Sequence, residues 1–287
     1  PGPACICRNH ERVHMAREFA YPSKIREMQT NHFDSTIWND FVFRDDDIII
    51  STYAKSGTTW MQQIIGQMLL GPNPELPTNQ ISPWVDLRVP PKAVKLPELE
   101  AQAHRRFLKT HLPVDALVFS PKAKYFYIGR DGRDVVWSLH NHHLNGNEAY
   151  YDVLNNSPGL VGPPMERCDP DIHRYWQTWF ERDGHPHWSL WDNVRSWWAI
   201  RDLPNVKLIH FNDLKRDMRR QMAEIAAFLA IEVDPDDWDE IALYCSFDWM
   251  RAHGDKAVPL GGAMWEGGAS TFINKGVNGR WQSVLSD

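Results

Sequence analysis

Lys55-Ser56-Gly57-Thr58-Thr59 is the stretch of this chain best equipped for chemistry. One turn holds a cation, three hydroxyl donors and a residue without a side chain, which is the set a phosphate or sulfate group requires. The preceding run Asp47-Ile48-Ile49-Ile50 reads as a buried strand, and Met61 to Leu70 reads as a helix. Strand, tight turn and helix N-terminus together aim backbone N–H groups and the positive end of a helix dipole at an anion. The order differs from the nucleotide-hydrolase loop G-x-x-x-x-G-K-[ST], where Lys follows the second Gly. Here Lys55 precedes the only Gly, and Trp60 follows the turn directly.

Two more constellations carry reactive groups. In Leu108-Lys109-Thr110-His111-Leu112-Pro113 a histidine follows a β-rich run, where it can act as a general base because imidazole titrates near pH ~6.5. In Tyr127-Ile128-Gly129-Arg130-Asp131-Gly132-Arg133-Asp134-Val135-Val136-Trp137-Ser138, strand, arginine, turn and helix again form an anion-binding arrangement. Arg130 can grip a phosphate bidentately, which a lysine cannot. His140, His142, His143, His185 and His187 read as solvated or pocket-lining, since no Cys or carboxylate stands at a metal-site spacing from them. No metal is therefore expected.

These groups must be positioned by a regular scaffold. Four β-rich runs, Ile48–Thr52, Arg106–Thr110, Tyr125–Gly129 and Val206–Phe211, alternate with helical patterns over Met61–Leu70, Val135–His143, Leu190–Arg201 and Lys215–Ala230. The alternation predicts an α/β fold: a single domain over residues 1–287 with a central parallel sheet flanked by helices and a P-loop-like strand-loop-helix for phosphate. About 35 residues at the start read as an N-terminal extension by the order-of-magnitude boundary of such patterns. Ligands of such sheets bind beyond the carboxyl ends of the strands, and Lys55, His111, Arg130 and Phe211 all lie at or just past one. Gly159–Pro164 and Gly254–Gly268 are expected to be loops. The tryptophans between Trp176 and Trp198 are expected to pack a core and wall a cavity.

Tyr53-x-Lys55-Ser56-Gly57-Thr58-Thr59-Trp60 resembles the phosphosulfate loop of the cytosolic-type sulfotransferases, which move a sulfuryl group from 3'-phosphoadenosine-5'-phosphosulfate (PAPS) to an acceptor hydroxyl or amine. The resemblance extends through Lys109-Thr110-His111-Leu112-Pro113 and through Arg130 to Ser138 and, with the segments that follow as far as Trp281, covers nearly the whole chain. It implies that His111 deprotonates the acceptor and that Lys55 supports the bridging oxygen, with Lys109 beside the sulfuryl oxygens. It further implies that Thr58 and Thr59 hold the 5'-phosphate, that Arg130 and Ser138 hold the 3'-phosphate, and that Ser138 restrains Lys55 until the acceptor is bound. Phe211 replaces the tyrosine usual near the adenine, and Cys245-Ser246-Phe247 resembles the T-S-F stretch on the adenine and ribose side. Trp60 would add an aromatic face for the purine. The family's C-terminal loop R-K-G-x-x-G-[DE]-W is matched at Lys275, Gly276, Gly279 and Trp281, while Asn274 and Arg280 depart from it. Arg280 is expected to supply part of the charge that Asn274 removes.

The formal charge of −6 argues against nucleic acid or an anionic membrane as partner, so any anion site must be a local concentration of cations. No apolar run reaches the ~18 residues of a membrane span. Pro1 to Cys7 lacks the apolar core of a secretory signal, and only Cys5 and Cys7 of the four cysteines are close in sequence, which leads to the expectation of a reducing, cytoplasmic setting. The aromatic and apolar segments Trp84–Leu99, Tyr150–Trp179 and Gly254–Thr271 suggest a small hydrophobic or aromatic acceptor, a phenol, alcohol or amine. The animal enzymes' dimer motif is not recognisable, so a homodimer stays an open expectation. The rival readings are a P-loop kinase or hydrolase using ATP and Mg²⁺, and a nucleotide-binding homologue without activity. The first would need a Walker lysine and a metal-holding Asp; intact Lys55 and His111 weigh against the second.

Overall fold

In the computed structural model, residues 19–185 and 187–285 are described. Four parallel strands form the sheet: β1 (Ile48–Thr52), β2 (Phe107–Thr110), β3 (Lys124–Gly129) and β4 (Val206–His210), in the spatial order β2-β1-β3-β4. Their register aligns Ser51 with Thr110 and with Tyr127, and Gly129 with His210, so the carboxyl ends lie along one edge. Between β1 and β3 the winding changes direction, because β2 lies on one side and β4 on the other. A crevice opens at such a switch point, and that is where these sheets take ligands.

The longer helices are α1 (Thr58–Leu70), α2 (Lys92–Glu100), α3 (Gly132–Leu144), α4 (Glu148–Asn156), α5 (Ile172–Glu181), α6 (Leu190–Ala199), α7 (Phe211–Arg216), α8 (Met218–Leu229), α9 (Trp238–Tyr244) and α10 (Phe247–Ala252). They cover both faces of the sheet. Ile48 and Ile50 point to one side and pack with Met61, Ile64, Ile65 and Met68 of α1 and with Met222 and Ile225 of α8. Ile49, between them, points to the other side, where Leu108, Tyr125 and Tyr127 meet Val135, Val136 and Leu139 of α3 and Trp197 of α6. Burial on both faces is why these strands read as unbroken apolar runs. A third cluster joins Tyr150, Tyr151 and Leu154 of α4 to Val258 and Trp265.

At the amino-terminal ends, Asp47 and Arg106 form a fully buried two-pronged ion pair of 2.6 and 2.8 Å that pins the starts of β1 and β2 together. The opposite edge is left for the site. Among the described residues, no helix is long and apolar enough to cross a membrane.

Three expectations need correction. The helix expected over Lys215–Ala230 is two helices. Asp217 leaves helical geometry (φ −151°) and its carboxylate accepts from the Arg220 amide, a local bond that competes with the backbone ladder. Phe211 opens α7 and is not the end of a strand, because His210 caps that helix through its ring. The loop expected over Gly254–Gly268 contains the short helical turns Gly254–Ala257 and Pro259–Gly262. In α6 the expected tryptophan packing holds for buried Trp197, whereas Trp191 and Trp198 face solvent. Cys5 and Cys7 lie outside the described residues; Cys168 and Cys245 are free thiols.

Candidate active site

The turn after β1 is built for an anion. Lys55 and Gly57 both adopt positive φ (63° and 108°), which folds the chain tightly from strand into helix. Gly57 leads α1 and offers no side-chain cap; the first bond of the helix runs from Met61 to the Gly57 carbonyl. The amides of residues 56–60 thus have no protein acceptor among the described residues, and they gather the dipole's positive end. Glycine is required twice over at position 57. Its φ suits no other residue well, and a Cβ there would stand 2.9 Å from Cδ2 of Phe211. Gly57→Ala is therefore expected to cost about 1–3 kcal/mol, the range for a residue forced into a sparsely populated backbone region. Urea unfolding would read it, and an unchanged midpoint would mean the turn relaxes freely.

Phe211 links this turn to the end of β3. Its ring meets Trp60 edge-on at 5.6 Å and lies 4.5 Å beneath the Arg130 guanidinium. Arg130 donates to the Lys55 carbonyl at 2.7 Å and to Asn278 Oδ1 at 2.8 Å, while its buried Nε–H has no acceptor among the described residues. A buried charged donor without a partner is costly, and an external phosphate oxygen would complete it. The start of α3, unlike that of α1, carries a side-chain cap. Asp131 caps it, accepting from the Arg133 amide, so Arg130 acts there through its guanidinium alone.

His111 follows β2 and is buried. Its Nδ1 lies 2.7 Å from the Thr52 carbonyl. A carbonyl only accepts, so Nδ1 carries the proton and Nε2 keeps a lone pair. Trp84 (4.7 Å, edge-on) and Trp188 (5.8 Å) hold the ring. Burial and the nearby Lys109 charge keep its pKa well below the usual imidazole value, so the ring is neutral near pH 7. Thr52 Oγ1 also meets Thr58 Oγ1 at 2.6 Å, so Thr52 ties His111 to the turn.

Lys109, buried, and Lys55, half-buried, both stand beside this ring. Burial, then the Lys109 and Arg130 charges, pull Lys55 down to about 7. Burial pulls Lys109 to about 8 against the opposing pull of Asp86, and its ammonium rests 4.7 Å from the Trp84 ring. Lys55, whose charged neighbours are the cations Lys109 and Arg130, marks a place for a polyanion, whose arrival would raise both values. Among the described residues no group of three His, Cys, Asp or Glu side chains is placed to hold a metal.

A cavity of about 860 Å³ joins these parts. Lys55, Gly57, Thr58, Thr59, Trp60, Lys109, His111, Arg130, Ser138 and Phe211 line it, as do Phe247, Asn274, Lys275, Gly276 and Arg280. Three of the expected residues are placed otherwise. Ser56 and Cys245 are buried behind the wall, Cys245 presenting its carbonyl to Trp60 Nε1 at 2.8 Å. The Ser246 hydroxyl caps α10. Lys55 Nζ makes no hydrogen bond to Ser138 and lies 3.4 Å from His142 Nδ1.

Of the three expected acceptor segments, Trp84, Leu87, Val89 and Pro90 line the cavity, then Tyr150, Val153 and Leu154, then Leu260, Met264 and Trp265; nothing from 155 to 179 does. His32, His187 and Trp188 also line it. The spacing of the chain gave no sign of His32, whose ring burial pushes down to about 4 and whose Nε2 reaches the Tyr150 hydroxyl at 3.4 Å.

The sulfotransferase domain family matches residues 45–287. The glycolipid sulfotransferase of Mycobacterium bovis (strain BCG / Pasteur 1173P2) is 30% identical over 88% of this chain and 84% of its own. Sulfotransferase 1B1 of Mus musculus is 29% identical over 86% and 80%. Among solved structures, mouse sulfotransferase SULT7A1 complexed with PAP superposes with a TM-score of 0.65 at 24% identity, covering 88% of this chain and 83% of that one. Retinol dehydratase in complex with androsterone and the inactive cofactor PAP gives 0.66 at 20% identity, covering 88% and 79%. The two structures share the fold; the family match, spanning most of the sequence, establishes that this chain belongs to the sulfotransferase family.

Proposed function

We propose that this chain transfers the sulfuryl group of PAPS to a hydroxyl or amine of a small, largely apolar acceptor. The observation that carries the reading is that the uncapped N-terminus of α1, Lys55 and the free Nε2 of His111 all belong to one cavity. The acceptor oxygen attacks sulfur in line and gives its proton to His111 Nε2, while the bond from sulfur to the bridging oxygen breaks. The products are the sulfated acceptor, adenosine 3',5'-bisphosphate (PAP) and a protonated imidazole. Charge growing on the leaving 5'-phosphate meets Lys55, Thr58, Thr59 and the turn amides; Lys109 faces the sulfuryl oxygens. Catalysis then rests on positioning and preorganised charge, as in phosphoryl transfer.

Arg130, with its unpartnered Nε–H, and Ser138 take the 3'-phosphate. Trp60, Phe211 and Phe247 offer ring faces to the adenine, a contact worth ~1–3 kcal/mol per base in stacked sites. Arg280 Nη1 donates to Asn274 Oδ1 at 3.0 Å, so the asparagine that replaces the family's arginine holds a guanidinium borne elsewhere in the same loop. Gly276 lets that loop close, since a Cβ there would stand 2.5 Å from the Phe247 ring. Arg280→Ala should weaken PAP binding about tenfold or more, the scale of a charge-assisted hydrogen bond. Calorimetry with an unchanged affinity would remove Arg280 from the site.

The remaining roles are also proposals: one domain throughout, action in the cytoplasm, no resident metal, and no nucleic acid or membrane partner. Calorimetry with PAP, ADP, and ATP with and without Mg²⁺ separates the donor reading from its rivals. Metal-independent binding of PAP, much tighter than ADP, is expected. Preference for ATP with Mg²⁺ would reverse the assignment. Incubation with PAPS and 2-naphthol, a long-chain alcohol or an aromatic amine then tests turnover.

A further inference from the structure

Lys55 has a single hydrogen-bond acceptor for its ammonium among the described residues, and it is a histidine. Nζ lies 3.4 Å from His142 Nδ1 and 3.9 Å from the centre of the Phe272 ring. Its nearest charged neighbours, Lys109 and Arg130, are cations that disfavour the ammonium there. His142 stands four residues beyond Ser138 on α3, and therefore on the same face of the helix. Its ring is clamped by Trp265 at 4.8 Å, Phe272 at 5.5 Å and Tyr150 at 5.7 Å, so it cannot turn aside without moving three other rings. With Nδ1 accepting from the ammonium, the ring proton resides on Nε2. That neutral form is also the one burial enforces.

We infer that His142 is a positioning residue for Lys55: its Nδ1 holds the ammonium inside the cavity, where the bridging oxygen of the donor will lie. A lysine repelled by two cations and given no acceptor would turn elsewhere and lose its rotamer freedom afresh in each turnover. A fixed imidazole lone pair removes that cost before the donor binds. Phe272 supports the same placement, since a ring face attracts an ammonium but does not compete for its hydrogen bonds. The inference rests on the sulfuryl-transfer reading above.

The test compares wild type with His142→Phe and His142→Asn, using PAPS and whichever of 2-naphthol, the long-chain alcohol or the aromatic amine the wild-type protein sulfates fastest. Phe fills the space and offers no acceptor; Asn places Oδ1 close to the position of Nδ1. His142→Phe should lower kcat about ten- to a hundredfold, the scale of one hydrogen bond to a charged group, with acceptor KM and PAP affinity nearly unchanged. His142→Asn should recover most of that kcat. A His142→Phe protein with wild-type kcat would overturn the inference, as would a loss confined to acceptor KM. Equal loss in both variants with PAP affinity intact would also overturn it, by assigning the ring a packing role. Absence of transfer by the wild-type protein to all three acceptors would instead remove the reaction on which the inference stands.

Discussion

His111→Asn is expected to lower kcat by about 10²–10⁴, the usual worth of a positioned general base. Asparagine is the informative replacement because its amide can still donate to the Thr52 carbonyl, which the His111 Nδ1–H reaches at 2.7 Å. The packing against Trp84 and Trp188 is then disturbed least. What disappears is the lone pair at Nε2. PAP titration should give nearly the wild-type affinity, since in the proposed reaction His111 serves the acceptor and not the nucleotide. A kcat close to wild type would assign the proton to another group. Lost PAP affinity would mean instead that the substitution had collapsed the turn through Thr52 and Thr58, which share a 2.6 Å bond.

Lys55→Met should cost about 10²–10³ in kcat, the range for removing one preorganised donor from the developing charge of a transition state. Met keeps the length of the side chain, so the backbone turn with its positive φ is retained. The lysine's pKa adds a second expectation. Burial and its cationic neighbours bring Lys55 to about 7, and Lys109 stands at about 8. Both pKa values are depressed, so these ammonium groups are charged below them and lose their charge as the pH rises through them. Because kcat/KM for PAPS reports the free protein, it should decline through an alkaline limb between about pH 7 and pH 8. His111 is neutral well below pH 6.5, so no acid limb should fall in that region. Lys55→Arg should move the limb up towards about 8, where Lys109 titrates. A limb unmoved by that substitution would show that Lys55 is not the titrating group.

The sheet and the anion turn were legible because each has a local physical signature. Ile48-Ile49-Ile50 is apolar throughout since both faces of β1 are covered, and a parallel sheet places every residue that follows a strand along one edge. Lys55, His111 and Arg130 fell out of that rule, and Phe211 did so although its strand ends one residue sooner than expected. What stayed hidden depends on contacts between distant segments. His32 lies far in sequence from its Tyr150 partner, so no spacing could assign it to the cavity, whereas His187 and Trp188, expected as pocket-lining and cavity-walling residues, do line it. The break at Asp217 turns on one carboxylate choosing an amide, a choice that helical periodicity cannot register. Cys245 and Ser246 were expected on the adenine and ribose side, yet neither side chain lines the cavity: Cys245 contributes a carbonyl to Trp60 and Ser246 a helix cap. Arg280 was expected to replace the charge that Asn274 removes; the hydrogen bond between the two side chains was not foreseen.

Transfer of ³⁵S from labelled PAPS, followed in the presence of EDTA for the wild-type protein and His111→Asn, tests the central claim most directly. A labelled acceptor product from 2-naphthol, the long-chain alcohol or the aromatic amine, formed without metal and nearly abolished in the variant, is the predicted result. No labelled product with any of the three from a wild-type protein that binds ATP–Mg²⁺ in preference to PAP would contradict it.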